Sequence, residues 1–223
     1  MKKHLYLLSI LLLAALHSIA AAPPDSITIP AIPHACSWIN QPASFKITGA
    51  NALSITAAKG SDYYNYAGGG YNIATAPILA FTPDENFVLT TRIKVDFHTQ
   101  YDGGALYLFV DSLQWTKFLF EKSHAGKLII CAGVTNIFTD ESNNGEAPTN
   151  EVYFRLGKSG KLCGLFYSLD GKKWEMIRMF HCEPKGQLRI GFSSQSPQGT
   201  SCTSYFSDIK YTPKAFKDFW TGE

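Results

Sequence analysis

The sequence predicts an all-β sandwich. Short segments in which apolar and polar residues alternate recur along the 223-residue chain, and about a dozen of them have the length of a strand. No amphipathic stretch is long enough for a crossover helix, which excludes a parallel α/β fold. The chain also lacks a repeat of fixed period, which disfavours a propeller or a solenoid.

The first 22 residues have the features of a secretory signal peptide. After a basic start, an apolar run extends from Leu5 to Leu16, and small residues offer cleavage sites between Ala20 and Ala22. The run is short for a membrane span, although an uncleaved anchor helix is the alternative. We expect a periplasmic or secreted protein without membrane attachment after cleavage. Residues 23–35 then form a Pro-rich leader, residues 36–213 the sandwich and residues 214–223 a tail.

The strands differ in how clearly the sequence marks them. Residues 87–97 alternate strictly between apolar and polar side chains, which predicts a half-buried strand. Residues 163–169 and 174–180 form a hairpin around Asp170-Gly171, a dipeptide typical of tight turns. Polar loops without periodicity are predicted at 61–70 and 139–149. Further strands are predicted at 46–57 (one or two strands), 78–81, 128–135, 151–156, 187–193 and 204–211.

The most informative pattern lies in two neighbouring strands between residues 100 and 121, joined by a turn at Asp111-Ser112. In the second strand Trp115, Lys117 and Glu121 fall at even spacing and therefore share one face. The alternate side chains are mainly apolar and suit a core. The polar face is either an exposed sheet surface with an ion pair or the floor of a binding groove, and we favour the groove.

Charge and cysteine content narrow the classes of function. The net charge is only +2 and the basic residues are scattered, so we expect no nucleic-acid partner. Five cysteines leave at least one thiol unpaired within the chain, and no Cys-x-x-Cys motif is present. Cys163 and Cys182 flank the predicted hairpin, so a bridge between them is possible.

Several short motifs carry a family resemblance. They are, in order, Ser61-Asp62-Tyr63-Tyr64, Gln100-Tyr101-Asp102 followed by Gly103-Gly104-Ala105, Trp115 with Lys117 and Glu121, Ser168-Leu169-Asp170-Gly171 with Trp174 and Arg178, Gly191, Ser196-Pro197 and Tyr205-Phe206-Ser207-Asp208. From about residue 38 to residue 211 their order and spacing resemble the "regulation of enolase" family. The chain is also similar to the concanavalin A-like domain at the C-terminus of many β-xylosidases. The resemblance implies a concanavalin A-like jelly-roll β-sandwich.

The chain departs from the family pattern at three places. Tyr63-Tyr64 replaces a Phe-Trp pair, and Gly103-Gly104-Ala105-Leu106 replaces Gln-Ala-Gly-Leu. Val134-Thr135-Asn136 is kept, but Phe138-Thr139-Asp140 stands where an Asp-Trp segment is usual. A ligand site built on these positions has a changed specificity.

A groove on the curved sheet of such a jelly roll suits a sugar chain. Aromatic side chains stack on the ring faces of a sugar, and polar side chains bind its hydroxyl groups. For three residues another role is open: core packing for Trp115, a surface ion pair for Lys117 with Glu121, and capping of a turn for Asp102. The expected ligand-binding residues are Tyr101, Asp102, Tyr107, Trp115, Lys117, Glu121 and Arg155, with Tyr63 and Tyr64 on the rim.

Catalysis has less support than binding. Glu121 is the only acidic residue on its strand, and a glycoside hydrolase or lyase would use Asp102 as its partner. The histidines lack metal-ligand spacing, and no Gly-x-Ser-x-Gly motif occurs. The oxygen-rich loop around Glu141 is compatible with calcium, but a solvated loop is the simpler interpretation.

We therefore expect a protein that binds a polysaccharide or oligosaccharide without hydrolysing it and without a metal or cofactor. The alternatives are a glycoside hydrolase or lyase and a protein-binding or structural sandwich.

Overall fold

The computed structural model describes residues 26–223, whose regular secondary structure is entirely β. The predicted signal peptide (residues 1–22) lies outside the described residues, as do the first three residues of the predicted leader. The described part of the chain contains no helix that is long and apolar enough to cross a membrane. The predicted all-β jelly-roll sandwich is confirmed.

Sixteen strands are described, numbered here in chain order. They are β1 (Ser37–Ile39), β2 (Ser44–Ile47), β3 (Leu53–Ala58), β4 (Tyr63–Asn65), β5 (Asn72–Ala74), β6 (Ile78–Phe81), β7 (Phe87–Asp96), β8 (Gly103–Phe109), β9 (Gln114–Lys122), β10 (Leu128–Asn136), β11 (Phe138–Glu146), β12 (Glu151–Ser159), β13 (Leu162–Ser168), β14 (Glu175–His181), β15 (Arg189–Gln195) and β16 (Ser201–Thr212).

Two seven-stranded antiparallel sheets form the sandwich. The first sheet has the order β1-β6-β15-β8-β9-β10-β11, and the second has the order β14-β13-β12-β7-β16-β3-β2. Strands β4 and β5 pair separately as a small hairpin. The predicted strand at 87–97 and the hairpin around Asp170-Gly171 are confirmed by β7 and by the β13–β14 pair.

The main core lies between the two sheets. Each strand turns alternate side chains inwards, so Phe118 of β9 and Phe154 of β12 meet across the interface. Their rings are stacked, with centroids 3.6 Å apart and planes inclined by 6°. This contact fixes the distance between the sheets at the level of β9, the strand that carries Lys117 and Glu121.

A second apolar core covers part of the outer face of the first sheet. Residues 61–76, here called the covering segment, contain the β4–β5 hairpin and lie over β8 and β9. The ring of Tyr63 packs 5.9 Å from Tyr107 and 6.0 Å from Trp115, measured between centroids. Strand β9 is therefore buried on both faces over most of its length.

The predicted polar loop at 139–149 is wrong over most of its length, because residues 138–146 form β11. This strand pairs with β10 at the edge of the first sheet and places mainly half-buried or exposed side chains there. Backbone hydrogen bonds hold an edge strand in place without an apolar face, so the hydrophobic pattern did not mark it. Its presence brings Glu141 beside β9 and β10.

Both ends of the described chain pack onto the sandwich. Ile29 and Ile32 are buried in the main core, so the folded part begins before the predicted boundary at residue 36. At the other end Phe216 packs against Phe166, and the carbonyl of Gly222 accepts a hydrogen bond from Arg155. Residues 214–223 are thus not a free tail.

All five cysteines are thiols. The possible Cys163–Cys182 bridge is not formed, although the interaction with Cys182 raises the pKa of the Cys163 thiol.

Candidate functional site

A cavity of about 350 Å³ lies beside the covering segment, on the outer face of the first sheet. Lys117 and Glu121 of β9 lie in it, and so does Gln195 at the end of β15. The remaining lining residues are Asp62, Tyr64 and Tyr71 from the covering segment, Glu141 from β11, and Tyr101, Pro197 and Gln198 from loops. The cavity therefore combines charged groups with three tyrosines.

Lys117 is the best-anchored group of the cavity. Its Nζ donates hydrogen bonds to Asp62 Oδ1 at 2.9 Å, to the carbonyl of Tyr63 at 2.9 Å and to Gln195 Oε1 at 3.0 Å. Each of the three N–H donors of the ammonium group therefore has an acceptor. Burial is the largest single effect and by itself lowers the pKa of Lys117, but the attraction of Asp62, Tyr107 and Glu121 and the hydrogen bond to Asp62 together outweigh it, so the pKa is raised. Lys117 therefore stays charged and holds the covering segment on β9.

Glu121 differs from Lys117 because its carboxylate has no partner. The residue is only 7% exposed, and no group in residues 26–223 donates a hydrogen bond to its side chain. Burial raises the pKa of Glu121 to about 8, against the opposing effect of the Lys117 charge. Glu141 and Asp62 raise it further. At neutral pH the carboxyl group is largely protonated and can donate or accept a hydrogen bond.

Glu141 is one of six cavity residues that the sequence analysis did not assign to the site; the others are Asp62, Tyr71, Gln195, Pro197 and Gln198. In the register of the first sheet Glu141 lies opposite Gly133 of β10, which lies opposite Lys117 of β9. Because Gly133 has no side chain, it places no group between the two charged residues. The available signal was the pair of threonines, Thr135 and Thr139, that flank a tight turn and favour strands on both sides.

Tyr101 lines the cavity from a strained backbone position. Its φ is 65°, in the left-handed region that side chains with a Cβ rarely adopt. Two hydrogen bonds hold this conformation. The N–H of Tyr101 donates to the Lys122 carbonyl at 2.6 Å, and Gln195 Nε2 donates to the carbonyl of Tyr101 at 2.9 Å. Such strain persists where the surrounding structure enforces it, and it is frequent at functional sites.

The structure brings four of the predicted site residues together and separates the rest. Tyr64, Tyr101, Lys117 and Glu121 line the cavity. Tyr63, Tyr107 and Trp115 do not, because they form the outer core and are only 3%, 0% and 2% exposed. The expected aromatic platform of Tyr107 and Trp115 is therefore corrected: these rings stabilise the covering segment and do not line this cavity.

Asp102 is also misplaced by the sequence analysis. It is fully buried and accepts hydrogen bonds from the N–H groups of His98 and Thr99 and from the hydroxyl groups of Thr99 and Ser196. Its carboxylate thus caps the loop before β8, which was the alternative role. Because every one of these contacts is structural and the residue does not line the cavity, Asp102 is not available as a catalytic partner of Glu121.

Arg155 lies on β12 in the second sheet and cannot reach the outer face of the first. Its guanidinium stacks on Trp174, 3.8 Å from the ring centroid. The prediction failed because strand alternation shows which residues share a face, but not in which sheet the strand pairs.

A second cavity of about 350 Å³ opens elsewhere, near the β14 end of the sandwich. Its ionisable side chains, such as His181 and Glu183, are mostly exposed. It therefore lacks the buried charges that mark the first cavity as the candidate site.

Comparison with known proteins places the chain in a family. Residues 38–214 match the profile described as "Protein of unknown function (DUF1349)". The chain belongs to this family. The name "regulation of enolase" is not confirmed by the match, and no curated protein sequence matches the chain.

Solved structures show the same fold at low sequence identity. A functionally unknown protein from Saccharomyces cerevisiae has a TM-score of 0.73 and 18% identity, over 79% of this chain and 95% of that one. A xylan β-1,4-xylosidase from Bacillus halodurans has a TM-score of 0.55 and 11% identity, over 71% of this chain but only 32% of the enzyme. An alginate lyase from Klebsiella pneumoniae has a TM-score of 0.52 and 9% identity, over 75% and 83% of the two chains. This member of the family thus shares a concanavalin A-like sandwich with domains of carbohydrate-active enzymes.

Proposed function

We propose that this protein is exported and binds carbohydrate in the cavity beside the covering segment, without hydrolysing it. The observation that carries the proposal is the convergence of Tyr64, Tyr71 and Tyr101 on a polar floor of Lys117 and Glu121. Tyrosine rings offer apolar faces to sugar rings, and their hydroxyl groups remain able to form hydrogen bonds. The fold shared with carbohydrate-active enzyme domains supports this assignment.

The size of the cavity restricts the ligand. A volume of about 350 Å³ is at the lower end of the range of about 300–1,000 Å³ for small-molecule sites. The cavity therefore accommodates the end of a glycan chain or a short oligosaccharide, and the remainder of a longer chain extends past Tyr71 into solvent. Tyr71 is 54% exposed and is free to stack on the emerging part.

Calorimetric titration and a glycan array with the chain from residue 23 onwards test the proposal. Tyr71→Ala is expected to weaken binding about three- to tenfold, the value of one aromatic contact. Tyr66→Ala is the matched control, because Tyr66 is 49% exposed on the same segment but does not line the cavity. Absence of binding to any plant, host or microbial glycan contradicts the proposal, and so does an equal loss in the two variants.

Glycoside hydrolysis is the second candidate, and one observation favours it. Oxygens of Glu121 and Glu141 lie within 4.8 Å of each other, close to the separation of about 5–5.5 Å in retaining glycosidases. The pKa of Glu121, raised to about 8 by burial, suits a general acid, and the exposed Glu141 suits the second carboxylate. In this candidate Glu141 replaces Asp102 as the partner of Glu121.

Release of reducing sugar from mixed polysaccharides separates the two candidates. If hydrolysis occurs, Glu121→Gln and Glu141→Gln each abolish it while the circular dichroism spectrum stays unchanged. If the protein only binds, no reducing sugar appears with the natural chain under conditions where calorimetry detects the complex.

A further inference from the structure

Three potential metal ligands meet at the wall of the cavity. A carboxylate oxygen of Glu121, Sγ of Cys131 and a carboxylate oxygen of Glu141 all lie within 4.8 Å of one another. They come from three adjacent strands, β9, β10 and β11, so backbone hydrogen bonds hold their positions. Cys131 is buried behind the two carboxylates, which line the cavity and its smaller neighbour of about 300 Å³.

The unpartnered state of Glu121 points independently to a missing ligand. Its side chain is more than nine-tenths buried, and among residues 26–223 it receives neither a hydrogen bond nor an ion pair. Ionisation of a buried carboxyl group without a partner is costly, because burial removes the hydration of the charged form. A cation beside it offsets that cost.

The charges around the cluster also favour a cation. Lys117 is the only basic group in the cavity, and its charge is balanced by its ion pair with Asp62. Glu121 and Glu141 remain as two uncompensated acidic groups when both are ionised. His124, which lines the neighbouring cavity, is exposed.

We propose that Glu121, Cys131 and Glu141 bind one divalent cation of the zinc class. A thiolate among oxygen donors selects zinc over magnesium or calcium, which prefer oxygen alone. Tetrahedral zinc with bonds of about 2.0–2.3 Å places its ligands about 3.3–3.8 Å apart. Small movements of the side chains bring the three atoms from within 4.8 Å of one another to that separation.

Binding replaces protons by the metal. Zn²⁺ displaces one proton from the Cys131 thiol and one from the protonated fraction of Glu121, while Glu141 enters as a carboxylate. The affinity therefore rises with pH. Three protein ligands leave the fourth tetrahedral position open towards the cavity, where a water molecule or a ligand oxygen completes the coordination.

Titration of the chelator-treated full chain with zinc chloride tests the proposal. One zinc ion per chain is expected, and Cd²⁺ is expected to produce the ultraviolet absorption of a metal–thiolate bond. Glu141→Gln is expected to weaken zinc binding by at least about tenfold, whereas Glu146→Gln on the same strand leaves it unchanged. Both residues are exposed, so neither substitution removes core packing.

The cysteine variants identify the thiolate. Cys131→Ser is expected to abolish the cadmium absorption, and Cys202→Ser, at another buried thiol, is expected to preserve it. Absorption that survives Cys131→Ser but disappears in Cys182→Ser assigns the metal to the Cys163–Cys182 pair and overturns the proposal. Absence of any zinc binding overturns it as well.

The metal titration uses no sugar, so its outcome does not depend on whether the protein binds carbohydrate. Repeating the glycan calorimetry with and without chelator then shows whether the two are coupled.

Discussion

The ammonium group of Lys117 lies 2.9 Å from the carboxylate of Asp62, and the two side chains are only 7% and 15% exposed. The pair connects β9 to the covering segment, and its two residues are 55 positions apart in the chain. It therefore holds in place both the outer core and the wall of the cavity.

Lys117→Met is expected to lower the free energy of unfolding by about 3 kcal/mol, because it leaves Asp62 as a poorly solvated charge. Urea denaturation measures the change. Lys122→Met, at the less buried end of the same strand, is the control and is expected to change stability by less than about 0.5 kcal/mol. Equal effects of the two substitutions would show that the Asp62 contact contributes nothing specific.

Glu121 makes stability depend on pH in a defined window. Its pKa is about 8 in the folded state and 4.5 for the ordinary group, so the folded state binds the proton more tightly. The stabilisation from this proton is complete below about pH 4.5 and is lost as the pH rises through about 8. Glu121→Gln removes this pH dependence of stability.

Above pH 8 the Glu121→Gln variant is therefore expected to be more stable than the natural chain. The difference is on the order of a few kcal/mol, since one pKa unit corresponds to about 1.4 kcal/mol. Urea denaturation between pH 4 and pH 9 measures it, with Glu146→Gln as the exposed control. Parallel stability curves for the variant and the natural chain argue against the assigned pKa.

Tyr107→Phe is expected to stabilise the protein by about 1 kcal/mol, because the Tyr107 hydroxyl is buried without a partner among the described residues. Sugar binding is expected to stay unchanged, since the ring does not line the cavity. Thermal denaturation and calorimetry measure both quantities. Tyr211→Phe is the opposite case and is expected to destabilise, because its hydroxyl is hydrogen-bonded to Asp84.

Tyr101→Asn is expected to leave stability within about 1 kcal/mol of the natural chain while weakening sugar binding severalfold. Asparagine adopts the left-handed conformation more readily than tyrosine, so released strain offsets part of the lost packing. Denaturation and calorimetry on the same preparation separate the two effects. Unchanged sugar affinity would remove Tyr101 from the proposed site.

Local patterns in the sequence predicted the sandwich because its strands are marked by their side chains. The alternation of β7 and the Asp170-Gly171 turn are properties of neighbouring residues, and both are confirmed. Strand β11 was not predicted, because an edge strand is held by backbone hydrogen bonds and does not require an apolar face.

The site was predicted only in part, because contacts between residues distant in the chain determine it. Alternation correctly placed Lys117 and Glu121 on one face of β9, but it could not show that residues 61–76 cover Trp115 on that same face. Glu141 reaches the cavity through the β10–β11 register, and Arg155 is removed from it by pairing in the other sheet. Register over such distances is not encoded in any single segment.

Because of the covering segment, positions in β9 and positions around Tyr71 differ in how freely they can be substituted. Strand β9 contributes to two cores, so a change of side-chain volume on either face disturbs packing. The exposed end of the segment around Tyr71 touches neither core and can vary while the sandwich is retained. New ligand preferences in relatives of this protein can therefore arise by replacing a few residues of one hairpin.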